Sequence, residues 1–315
     1  MMICLKLNMS KIRELSKLIS RIENFEELEP EVLKKIFSRE GSAHRIGLTG
    51  PPGAGKSTLS DALATRLLNE NKKVGILAVD PTSPFTGGAI LGDRIRMTEA
   101  MKRGAFIRSI GTRGGVGGIS RRTYLSSLSM EAYGMDCIII ETVGVGQSDF
   151  EIKFIVDTTV VVLTPESGDY IQAMKAGLME IGDIYVINKS DREGAKEIKS
   201  EIESVLLLLP SESDWKTPVI LTKGLKGEGI DELKDLIIRH RKYLEESGLK
   251  DKIIRERRKR FLLEFLRDEI WDEMENFIER NGIIENFLKE IEKGGNLEHI
   301  KRKFLEHFAR RGSNP

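Results

Sequence analysis

The sequence predicts an α/β fold: a doubly wound, mostly parallel sheet with helical extensions at both ends. Three observations lead there. Short apolar runs recur between residues 46 and 222, and helical patterns separate most of them, the alternation that a parallel sheet covered on both faces requires. The first run enters the glycine loop Gly50-Pro51-Pro52-Gly53-Ala54-Gly55-Lys56-Ser57-Thr58. A helical pattern leaves that loop at once, with Leu59, Leu63 and Leu67 spaced at i, i+4 and i+8.

Residues 10 to 40 read as two helices. Ser10 can cap the first, whose Ile12, Leu15, Leu18, Ile19 and Ile22 share a face, and Glu29-Pro30-Glu31 opens the second. The runs suited to buried parallel strands are Ile46–Thr49, Val74–Val79, Ala105–Ile110, Cys137–Glu141, Thr158–Thr164, Ile184–Asn188 and Pro218–Thr222. A ligand of such a sheet sits at the carboxyl ends of its strands. Polar residues stand there: Asp80, Glu141, Thr164, Asn188 and Thr222. After Tyr243 strand alternation stops. Leu263, Leu266, Ile270, Met274 and Phe277 form one stripe of a long helix, and stripes beginning at Ile283 and Ile300 follow. The division expected is a helical extension over 1–42, a nucleotide domain over 43–243 and a helical, dimerising extension over 244–315.

Composition excludes several classes. Hydrophobic content of 40% with 31% charged residues is that of a globular protein. A formal net charge of +1 and 6% aromatics favour neither nucleic acid nor an anionic membrane. The run Arg255–Arg260 is followed by acidic residues and reads as a solvated helical face. Cys4 and Cys137 make no disulfide framework, and the four histidines lack metal-ligand spacing. Met1 to Asn8 meets Lys11 and Arg13 at once, unlike a secretory signal. A cytoplasmic location is expected.

The loop at Gly50 matches G-x-x-x-x-G-K-[ST] at every fixed position. Its glycines let backbone N–H groups point at phosphate oxygens, Lys56 reaches the β/γ-phosphates, and the Ser57 hydroxyl can ligate Mg²⁺. Asn188-Lys189-Ser190-Asp191 follows a strand and fits guanine chemistry. The carboxylate of Asp191 can accept from N1–H and the exocyclic amine, a donor pair adenine lacks, so a site built for it rejects adenine. Glu141-Thr142-Val143-Gly144 stands where an acid-x-x-Gly turn meets the γ-phosphate, and Glu141 can hold Mg²⁺ as a Walker-B acid does. Asp80 is a further oxygen ligand or a turn residue. Two glycine-rich stretches, 86–94 and 111–118, read as nucleotide-sensing loops or as plain connections.

Together these residues resemble the ArgK/MeaB-type GTPases that accompany adenosylcobalamin-dependent methylmalonyl-CoA mutase. The matching stretches include Ile19–Asn24, IGLTGPPGAGKSTL, LAVDPTSPFTGGAILGDRIRM, IIIETVGVGQSD and KAGLMEIGDIYVINKSD. The resemblance implies GTP and GDP as ligands, phosphate bound over Gly50–Thr58 and at Gly144, and Mg²⁺ among Ser57, Asp80, Asp93 and Glu141. It implies guanine held by Asn188, Lys189 and Asp191, with Lys56, Asp93 and Glu141 carrying hydrolysis. Where the family tends to have Ser-Ala in the second base loop, this chain has Thr222-Lys223-Gly224, whose backbone N–H can still meet the guanine oxygen. The loop after the fifth strand also departs, at Glu166–Tyr170. The implied partners are the mutase and a second copy of the chain. Gln147 lies three residues beyond Gly144, and the motifs contain no obvious arginine finger, though Arg94 and Arg113 lie in candidate loops. A GTPase lacking these parts turns over slowly until a partner supplies them, by roughly 10³–10⁵ in rate. The other readings are a nickel metallochaperone GTPase, which would need Cys/His ligands, and an ATP-dependent transport-system kinase, which would leave Asn188–Asp191 without a purpose.

Overall fold

The computed structural model describes residues 9–81, 97–112, 120–142, 144, 148–166, 177–209, 213–280, 283–292, 294 and 296–310. Asp93, Arg94, Arg113, Gln147 and most of the two glycine-rich stretches lie outside the described residues, as do residues 167–170 of the loop after the fifth strand.

Seven strands form one sheet: β1 (His44–Thr49), β2 (Val74–Pro81), β3 (Phe106–Thr112), β4 (Cys137–Glu141), β5 (Thr158–Leu163), β6 (Ile184–Ile187) and β7 (Val219–Leu221). Their order is β3-β2-β4-β1-β5-β6-β7, and every neighbouring pair is parallel. The order reverses on either side of β1, so the crevice of a doubly wound sheet opens beyond its carboxyl end. The strand centres are largely apolar because helices cover both faces, and polar residues gather toward the strand ends and on the edge strand β3. Ile46, Leu48, Ile76, Ile139, Val160, Val162, Val186 and Ile220 pack with α3 (Lys56–Asn69), whose Leu59, Leu63 and Leu67 face them. Ile230, Leu233 and Ile237 of the helix Ile230–Glu246 join the same core.

Two helices precede the sheet, α1 (Met9–Glu23) and α2 (Pro30–Phe37), and both pack on the helix Ser120–Ala132. Leu15, Leu18, Ile19 and Ile22 are the buried face of α1. Ser10 is not its cap. It lies inside the helix, and its hydroxyl donates to Glu14 Oε1 at 3.0 Å. Pro30 opens α2, where its missing N–H is one of the helix's unpaired donors anyway. The last turns of α1 grip the sheet's edge strand, and Phe25 just beyond them meets the helix Ser120–Ala132. Arg108 of β3 donates to Ser20 Oγ at 2.9 Å and pairs with Glu23, and the Arg122 guanidinium lies 3.5 Å over the Phe25 ring.

Under the amino ends of the strands lies a buried charge cluster. Arg45 pairs with Glu131 and stands 3.5 Å from Glu40, which accepts from Tyr124 Oη at 2.6 Å. Arg257 donates to Asp157 Oδ1 and Val156 O, each at 2.9 Å. Asp157 also accepts the Arg45 backbone N–H at 2.8 Å, and the Arg257 guanidinium foremost, with His44 and Arg45, holds its carboxyl well below the usual range despite burial. This corrects the reading of 255–260 as a wholly solvated face. Arg257 is 4% exposed because Asp157 and Glu40 need its charge.

The chain divides into two compact units, Met1–Arg257 and Arg258–Pro315. In the second, after the long helix Leu249–Arg280, two helices pair. Phe287 and Phe304 meet edge to face at 6.4 Å, and Lys303 Nζ reaches Glu290 Oε2 at 3.1 Å. Leu263, Leu266 and Ile270 of the predicted stripe stay exposed.

Two outcomes test this. Arg257→Ala strands buried carboxylates and should lower the unfolding free energy by about 3 kcal/mol or more in a urea titration; a loss near zero would show the cluster to be dispensable. His44 Nε2 and His240 Nδ1 both share a hydrogen bond with Thr158 Oγ1, at 2.9 and 2.8 Å, and burial pushes both imidazoles down to about 4 from 6.5. Between those values the unfolded chain binds protons that the folded chain refuses, so this stability is complete above pH 6.5 and falls as pH drops toward 4. His240→Asn should flatten the dependence of Tm on pH across that window; an unchanged slope would refute the linkage.

Candidate functional site

The phosphate loop joins β1 to α3 at the middle of the sheet's carboxyl edge. Gly50 has φ +135°, and a Cβ there would collide with the Val162 carbonyl oxygen. Gly55 has φ +92°, caps α3, and leaves no room for a Cβ against the Asn188 amide. Only glycine fits either place. Pro51 and Ala54 are buried, Pro52 and Gly53 exposed, and Ser57 and Thr58 half-buried. Buried Lys56 donates from Nζ to Gly50 O at 2.7 Å and Pro51 O at 3.0 Å. Its ammonium thus sits inside the loop at the N-terminus of a helix, where unpaired N–H groups and the helix dipole favour an anion.

Beside the loop stands Glu141, 5% exposed at the end of β4. It accepts from Ser57 Oγ at 2.6 Å and from Ser60 Oγ at 2.9 Å. A hydroxyl and a carboxylate here are hard oxygen donors, the set Mg²⁺ takes. Asp80 is placed at the end of β2 by its backbone, while its side chain lies outside the description, as does all of Asp93. Gly144 has φ +90° and passes directly over the loop: a Cβ would strike the Gly50 carbonyl oxygen and crowd the Lys56 ammonium.

The third part is a junction built on Asn188, 3% exposed. Its Nδ2 donates to Ala54 O at 2.8 Å. Its Oδ1 accepts from Gly224 N at 3.0 Å and Thr222 Oγ1 at 3.1 Å. Ser190 N donates to Thr222 O at 3.0 Å, closing the two base loops on each other. Lys189 takes φ +56°, a left-handed conformation rare outside glycine, and its Nζ stands 3.6 Å from Glu166 Oε1, which also pairs with Arg192. Asp191 is exposed. Lys223 Nζ donates to Glu228 Oε2 at 2.5 Å, an ion pair that raises the lysine's pKa.

The structure therefore brings together Gly50–Thr58, Glu141, Gly144, Asn188–Asp191 and Thr222–Gly224. Sequence reasoning missed Ser60, whose signal was legible: it lies three residues after Ser57 on the same helix face. It also missed Glu166 as the neighbour of Lys189, which no local pattern announces.

A doubly wound parallel sheet with this glycine loop, acid-x-x-Gly turn and Asn-anchored base loop is the architecture of a P-loop GTPase. A family model described as methylmalonyl Co-A mutase-associated GTPase MeaB matches residues 14–278. The chain belongs to the MeaB family. A Pyrococcus abyssi protein named as a GTPase is 45% identical over 299 residues, covering 92% of this chain and 87% of that protein. The mouse "Methylmalonic aciduria type A homolog, mitochondrial" is 43% identical over 196 residues, 61% of this chain and 47% of its own length. A solved structure described as a LAO/AO transport system kinase superposes with a TM-score of 0.68 at 27% identity, covering 96% of this chain and 99% of its own. Among the described residues, no helix is long and apolar enough to cross a membrane.

Asn188→Ala would leave the buried Ala54 carbonyl and Gly224 N–H unpaired. The expected loss is about 2–4 kcal/mol of unfolding free energy, read by denaturant titration, with weakened guanine-nucleotide binding. A loss below about 0.5 kcal/mol would mean that the two loops hold themselves.

Proposed function

We propose that this chain is a GTP-hydrolysing chaperone of adenosylcobalamin-dependent methylmalonyl-CoA mutase, working as a cytoplasmic homodimer, slow alone and stimulated by its partner. The guanine reading rests above all on the hydrogen bond from Asn188 to Ala54, which locks an Asn-Lys-x-Asp loop to a phosphate loop. The client reading rests on membership of a family described as mutase-associated. Exposed Leu263, Leu266 and Ile270 support a second copy as the dimer partner.

In this reading the loop Gly50–Thr58 binds the phosphates through the N–H groups of its non-proline residues and the Lys56 ammonium, and Gly144 N–H meets the γ-phosphate. Lys189 lies along the base, Asp191 accepts its paired donors, and backbone at Thr222–Gly224 meets its oxygen. Ser57 and Glu141, with Asp80 and Asp93, would hold Mg²⁺, which when bound neutralises charge on the phosphate oxygens. Hydrolysis forms a bond from water oxygen to the γ-phosphorus and breaks the bond to the β–γ bridging oxygen, giving GDP and phosphate. Lys56 stabilises the charge that develops during that step.

Asp191→Asn should weaken GTP binding by tenfold or more (about 1.4 kcal/mol per decade) and improve xanthosine triphosphate, whose base offers an acceptor where guanine has an amine. Unchanged GTP affinity by calorimetry would remove the guanine assignment. Phosphate release should accelerate when the cognate mutase is added; equal rates and nucleotide affinities with and without it would refute the mutase as client.

A further inference from the structure

Three side chains at the root of the site have been given no role in binding the nucleotide or the metal. Thr49 ends β1 directly before Gly50. Thr142 directly follows Glu141, and Asp149 lies in the short helix Ser148–Glu151. All three are buried. Thr49 Oγ1 and Thr142 Oγ1 donate to the same carboxylate oxygen, Asp149 Oδ1, at 2.9 and 2.5 Å, and the two hydroxyl oxygens stand 3.1 Å apart. Each hydroxyl has one proton to give, and the two converge on a single acceptor oxygen.

The consequence is geometric. Thr49 sets where the phosphate loop starts, and Thr142 sets where the acid-x-x-Gly turn starts. Thr142 N also donates to Leu48 O at 3.0 Å, so the turn is bound to β1 through backbone and side chain together. Two residues further on, Gly144 passes over Gly50 and Lys56. Closing strand ends asks for nothing so polar, since apolar side chains of similar volume would pack there without the desolvation of a carboxylate. What the carboxylate adds is a fixed distance between the two segments.

We propose that Asp149 is a positioning residue for GTP hydrolysis: through Thr49 and Thr142 it holds the γ-phosphate turn in register with the phosphate loop. This rests on the reading of the site as GTP-hydrolysing, and it separates two quantities. GDP has no γ-phosphate, so its affinity should not depend on the latch. The hydrolytic step should depend on it, because a misplacement of about 1 Å costs on the order of 10²-fold in rate.

The test is single-turnover GTP hydrolysis alongside GDP affinity by calorimetry, on the full chain. Thr142→Val keeps the side chain's shape and removes its donor. It should hydrolyse at least tenfold more slowly while the GDP Kd stays within about threefold of the parent, and Thr142→Ser should restore the rate. Asp149→Asn, which keeps an acceptor oxygen, should lose less than Asp149→Ala. If Thr142→Val hydrolyses at the parent rate, or if rate and GDP affinity fall in proportion, the latch is refuted and the GTPase reading stands. If the parent itself binds no guanine nucleotide, the GTPase reading falls and the latch with it.

Discussion

One carboxamide holds the candidate site together. The loops that follow β1, β6 and β7 leave the sheet from strands that are not all neighbours, and each carries backbone groups that a buried position obliges to pair. Asn188 has both a donor and an acceptor, and it uses them in opposite directions: Nδ2 toward Ala54, Oδ1 toward Gly224 and Thr222. Other features follow from that junction. Gly55 must lack a Cβ because the amide occupies the space. Lys189, the next residue, takes the left-handed conformation. A short polar side chain thereby fixes the distance between the loop after β1 and the loops after β6 and β7.

The other edge of the sheet solves a different problem. Charges cluster there around Arg45 and Arg257, with Glu40, Glu131 and Asp157 opposite them. Removing any one member leaves its partners buried and unmatched, which destabilises far more than an intact cluster stabilises. Both helical additions are involved, because Glu40 follows α2 and Arg257 lies in the helix Leu249–Arg280. The additions are therefore part of how the sheet's lower edge is satisfied.

The sheet was legible in the sequence because most of its strands are buried on both faces, so that their short apolar runs stand out against amphipathic helices. The phosphate loop and base loop were legible because their chemistry is local: consecutive residues supply it. Two of the features that escaped depend on partners a hundred positions away. Arg257 resembles its charged neighbours until Asp157 lies beside it. Asp149 looks like a helix-start acid until Thr49 turns toward it. Ser10 failed for the opposite reason, since a good capping residue sat where the helix had already begun.

The position of Arg257 bears on how this protein can be cut. Sequence character changes at Tyr243, which invites a shortened chain holding only the strand-and-helix region. Such a chain would lack the guanidinium between Asp157 and Glu40, fourteen residues beyond the apparent border. Its weakness would then be a property of the cut end rather than of the nucleotide-binding region, and activity lost with it would be misread as a role for the helices themselves. The split between the two compact units falls after residue 257, inside a continuous helix, where neither composition nor turn residues mark it.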